Sequence, residues 1–116
     1  MAQRQLALVS VTKGERYRVT AAVSAAISDA GGWIVDHTQF SNIAITIRFA
    51  LPPRGLDDLR RQIAAAGVRL DSSSLASLQA MAGEPLADSD EIAVSLNVTF
   101  IHNEPDLRQV VPAIPG

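Results

Sequence analysis

The chain has 116 residues, 47% of them apolar, no cysteine and a formal net charge of -2. A chain this long folds as one domain and buries roughly 65% of its unfolded surface without staples. The composition excludes disulfides and thiolate metal sites, offers no basic excess for nucleic acid or an anionic membrane, and contains no apolar run above four residues that could span a bilayer.

The first strand is predicted at Gln5 to Val11, with apolar residues on both sides as in an interior strand. Thr12-Lys13-Gly14-Glu15 has capping-box spacing, so a helix should begin between Lys13 and Arg16. Val19, Ala22, Val23, Ala26, Ile27 and Ala30 then share one helical stripe, which Gly31-Gly32 ends. Trp33 to Phe40 reads as a strand, Ser41-Asn42 as a turn, and Ile43 to Phe49 as the return strand with one apolar face. Two prolines make Leu51 to Gly55 a loop. Leu56, Leu59, Ile63 and Ala66 mark a second helix, closed by Gly67 and followed by a short strand, Val68 to Leu70.

Asp71 and the serines after it can cap a short helix carrying Leu75, Leu78 and Ala82. An acidic connection runs from Gly83 to Asp90. Ile92, Val94, Leu96, Val98 and Phe100 then alternate with small or polar residues in a long last strand, 92–101. The tail, Asn103 to Gly116, holds three prolines and reads as extended.

The order strand, helix, strand, strand, helix, strand predicts an α+β fold. Its form is a ferredoxin-like βαββαβ sandwich over 5–71, with an antiparallel sheet, both helices on one face, and an added C-terminal strand within 72–116. The last strand is expected to pair with a sheet edge, in its own or another subunit, because a long alternating strand left bare would aggregate. Residues 1–70 carry a net charge of +4 and residues 71–116 a net of -6, so the acidic part is expected against the basic part.

Leu6 to Leu70 resembles an ACT domain, the small-ligand regulatory module, and most of all the amino-terminal ACT domains of phosphoserine phosphatases and formyltetrahydrofolate deformylases. Glycine-cleavage repressors have a similar pattern. The stretches that carry the likeness are Glu15-Arg16-Tyr17-Arg18-Val19-Thr20-Ala21-Ala22-Val23 and Gly31-Gly32-Trp33-Ile34-Val35-Asp36. The family's Pro-Gly is Tyr17-Arg18 here, and its Asn is Trp33. The resemblance implies a non-catalytic regulatory or ligand-sensing protein. It would act as a homodimer or higher oligomer, take a small amino acid or organic acid, and pass its signal to a separate enzyme. Its ligand-binding residues would be Gly14, Arg16, Arg18, Trp33 and Asp36.

Read from the residues themselves, Arg16 and Arg18 beside the unpaired amides of a helix end can hold a carboxylate or phosphate. No catalytic or metal motif is present, and no cofactor is implied. Adjacent Asp36 and His37 should face opposite ways on a strand, and His37 should share a face with Val35 and Gln39. His37 and His102 lack a third ligand nearby in sequence. The alternative reading is a protein-interaction or oligomerisation module with no small ligand. A small ferredoxin-like enzyme with a pocket near His37 or Trp33 is the third. The short apolar amino terminus lacks a signal-peptide core, which fits a cytoplasmic protein.

Overall fold

Alternation assigns each strand an inner row. In the computed structural model, which describes residues 3–87 and 89–101, strand β1 (Gln3–Thr12) buries Leu6, Leu8, Ser10 and Thr12 on one side. Helix α1 (Arg16–Asp29) buries Val19, Val23, Ala26 and Ile27 of the predicted stripe, with Ala22 half-buried and Ala30 at the C-cap. Gly31 follows in the left-handed region at φ 88°, and the Gly32 N–H donates to the Ile27 carbonyl at 2.9 Å. Strands β2 (Trp33–Ser41) and β3 (Ala44–Leu51) form the hairpin, its turn at Asn42-Ile43, one residue later than predicted. A 3₁₀ turn, Pro53–Gly55, leads into α2 (Leu56–Ala65), which buries Leu56, Leu59 and Ile63. A Cβ on Gly55 would lie 2.2 Å from the Ala30 carbonyl oxygen, so only glycine lets α2 start against the end of α1.

Strand β4 (Val68–Leu70) is three residues long, and α3 (Ser72–Ala82) follows directly. Asp71 caps α3 by accepting the Ser74 N–H at 2.7 Å. The helix buries Ser74, Leu78 and Met81, whereas Leu75 and Ala82 face solvent. Strand β5 (Glu91–Phe100) buries all five of its predicted apolar residues. The predicted tail, Asn103 to Gly116, lies outside the described residues.

The protein is α+β, but its sheet differs from the predicted one in two respects. It is mixed rather than antiparallel, with strand order β2-β3-β5-β1-β4. The last strand is not at an edge of its own sheet. It lies in the centre, parallel to β1 over ten paired residues and antiparallel to β3. Central placement satisfies peptide groups along both sides of β5 and seals its apolar row between those of β1 and β3, which an edge position cannot do.

The path of α3 explains how β5 gets there. Strand β4 pairs only with Ser10 to Thr12, leaving the rest of β1 open on that side. The Asp71 N–H donates to the Val9 carbonyl at 3.0 Å, and the Val9 N–H donates to the buried Ser74 hydroxyl at 2.7 Å. From there α3 runs along β1 and ends where Glu84 meets Arg4 at 3.3 Å. Eleven helical residues rise about 16 Å, close to the span of the strand from Val9 to Arg4. The chain is thereby returned to the start of β1, and β5 must enter parallel to it.

The helices and the inner sheet face share one core. The outer face carries Gln5, Ala7, Val9 and the small or polar residues of β5. It holds a shallow hollow of about 460 Å³ between Gln5, Ala7, Val35, Arg48 and Ser95.

Candidate functional site

The loop from β1 to α1 is built by hydroxyl and carboxylate bonds to backbone. Thr12, 2% exposed, does not cap the helix as the sequence spacing predicts. Its hydroxyl donates to the Gly67 carbonyl at 2.9 Å and accepts the Gly14 N–H at 3.1 Å, tying this loop to the one after α2. Glu15 is the N-cap, with its two oxygens accepting the N–H groups of Tyr17 (2.9 Å) and Arg18 (3.0 Å). Those bonds, reinforced by the charges of Arg18 and Arg16, hold the Glu15 carboxyl below its ordinary range. The amides of Gly14, Tyr17 and Arg18 therefore already have acceptors and are not open to an anion.

Three cationic side chains are in place. A hollow of about 480 Å³ at this end of the sheet is lined by Lys13, Gly14, Arg18, Gly67, Arg69 and Ile101, among others. Lys13 and Arg18 flank the loop. Arg69 comes from β4, where Val68 and Leu70 turn inward and leave it outside. A Cβ on Gly14 would lie 3.2 Å from an Arg18 guanidinium nitrogen and 2.5 Å from Val19 Cγ2, so the bare glycine leaves room for that guanidinium. The close ion pairs among the described residues join Arg4 to Glu84, Arg48 to Asp36, and Arg60 and Arg61 to Asp57 and Asp58. Lys13, Arg18 and Arg69 take part in none of them.

The five predicted ligand residues are dispersed. Gly14 and Arg18 line this hollow. Arg16 turns away, its guanidinium carbon 5.4 Å from the Phe100 ring centroid, a cation–π contact. It borders a second hollow of about 270 Å³ with Tyr17, Thr20, His37 and Gln39. Trp33 begins β2 at the opposite end of the sheet, beside Arg54, Asp90 and Glu91. Asp36 is bound by Arg48, whose Nε donates to Oδ1 at 2.9 Å and whose Nη2 donates to Oδ2. That fork holds the Asp36 carboxyl below its ordinary range.

Register explains part of the dispersal. Strand β2 slips against β3 between Ile34 and Asp36, so plain alternation fails there. Val35 lines the hollow of the outer face while His37 borders the one beside α1, although the sequence predicts a shared face for the two. Arg69 was missed, 51 residues beyond Arg18. Its signal is the lone charge between two inward residues of a very short strand.

No group of three His, Asp or Glu side chains able to hold a metal occurs among the described residues. His102 lies outside them. No helix among the described residues is long and apolar enough to cross a membrane. Comparisons of the chain with protein-family models, with curated proteins and with solved structures return no match.

Proposed function

We propose that this is a non-catalytic, ACT-like regulatory protein of the cytoplasm that binds a small organic anion and works as an oligomer, passing its signal to a separate enzyme. We read β1 to β4 as a ferredoxin-like βαββαβ unit opened between β1 and β3 by β5. In support, β1 and β2 run in one direction and β3 and β4 in the other, as such a unit requires. The observation that carries the ligand reading is the convergence of Lys13, Arg18 and Arg69 on one hollow beside the loop after β1. Guanidinium groups that form no close ion pair among the described residues are suited to carboxylate or phosphate.

A thermal-shift screen with amino acids, folates and small acids tests this. A ligand at a hundred times its Kd stabilises the folded state by about 2.7 kcal/mol, which is roughly 10 °C for a chain of this size. Silence across the screen would remove the ligand reading. It would favour the second one, an interaction module that uses the outer sheet face as its contact surface. That reading draws on the exposed apolar side chains of Val9, Trp33 and Val35, at 47%, 53% and 61% exposure. Light scattering that finds a monomer near 12.3 kDa at micromolar concentration would count against oligomeric action under either reading.

A further inference from the structure

We infer that the hollow formed by Lys13, Arg18 and Arg69 selects a dianion, a dicarboxylate or a phosphate monoester, and rejects a zwitterionic α-amino acid. The inference rests on the ligand-binding reading above and narrows it to a chemical class. An α-amino acid needs two kinds of partner, donors for its carboxylate and acceptors for its ammonium. The hollow supplies the first kind three times over, and none of its lining residues among those described is acidic. The acceptors closest to hand each hold one hydrogen bond already. Thr12 Oγ1 accepts from Gly14, the Gly67 carbonyl accepts from Thr12, and both Glu15 oxygens accept helix amides. An ammonium group placed here would face three like charges with no carboxylate among the described lining residues.

The helix amides point to the same conclusion. A module that holds one carboxylate on its helix-end N–H groups must leave those groups open. Here Glu15 closes two of them, those of Tyr17 and Arg18, and the charge that lines the hollow comes from side chains of two separate elements, the loop with α1 and β4. Two forked guanidiniums, one on each element, match a ligand with negative charge at two places or a phosphate with several oxygens. Arg69 is then a specificity-determining residue, since it alone brings charge from the β4 side.

The test is calorimetric titration of the full chain with four probes at low salt: succinate, inorganic phosphate, acetate and serine. Succinate or phosphate should bind at least tenfold more tightly than acetate and serine, and which of the two binds more tightly tells a dicarboxylate site from a phosphate site. Arg69→Gln and Arg18→Gln should each weaken the dianion at least tenfold, while circular dichroism stays unchanged because both side chains are exposed. Serine binding as tightly as the dianions, and lost in Arg18→Gln, would overturn the dianion inference and leave the sensor reading standing. Dianion binding unchanged in the doubly substituted chain would place the site elsewhere and overturn the inference. No heat from any probe up to 10 mM (about a hundred times a 0.1 mM Kd) would overturn the dianion inference, and silence across the thermal-shift screen as well would overturn the sensor reading.

Discussion

Replacing Leu96 by alanine tests the central position of β5 directly. Leu96 is fully buried and paired in register with Leu8 of β1 on one side and Ile47 of β3 on the other. Leucine-to-alanine changes in cores cost about 2–5 kcal/mol, the larger values where the surroundings cannot close the cavity. Here two hydrogen-bonded strands hold the cavity open, so we expect about 3–5 kcal/mol and a fall in Tm of roughly 10–20 °C. Ser95→Ala, on the opposite face of the same strand, should stay within about 0.5 kcal/mol. Urea unfolding followed by far-ultraviolet circular dichroism measures both, at two protein concentrations tenfold apart. The difference between Leu96→Ala and the unsubstituted chain should be the same at both. A loss below about 1 kcal/mol, or one that changes with concentration, would refute the reasoning, because it would mean that β5 is buried against something other than its own β1 and β3.

Ser74→Ala removes the hydroxyl that accepts the Val9 N–H, leaving a partly buried donor unpaired. It should cost about 1–3 kcal/mol, with faster hydrogen exchange at Val9 than at the other amides of β1. Gly55→Ala should destabilise by about 1–3 kcal/mol, because the new Cβ must push α2 away from the end of α1; retention of full stability in a thermal melt would show that the approach is looser. The carboxyls of Glu15 and Asp71 both sit below their ordinary range. Helix amides of Tyr17 and then Arg18 hold the first, and the Ser74 hydroxyl and then its amide hold the second. Groups lowered by folding stabilise above their unfolded pKa and lose that contribution as pH falls through the folded value. Stability should therefore decline from about pH 5 downward, and Glu15→Gln should make that decline shallower in acid titrations monitored by circular dichroism.

The helices and strands were legible in the chain because each is specified by near neighbours. The stripe from Val19 to Ala30 ends at Gly31, and the alternation from Ile92 to Phe100 has one apolar row; both are readable within a dozen residues and both are present in the fold. Asp71 as a cap and α3 after it followed from the same local chemistry. The class of fold, α+β, came with them. Of the candidate site, Gly14 and Arg18 were legible from their place after the first strand.

Strand order was not legible. An alternating strand states that one of its faces must be covered, but several neighbours can cover it equally well at the level of pattern. The choice between an edge and the centre depends on how many peptide groups and apolar rows are sealed at once, a sum over β1, β3 and β5 together. The return of α3 along the open half of β1 decided it. The same holds for Arg69, brought beside the loop after β1 by the pairing of β4 with Ser10 to Thr12. Local sequence records which way a side chain points from its own strand. What it meets is set by which distant strand lies next to it, and that is decided by the burial free energy of the whole sheet.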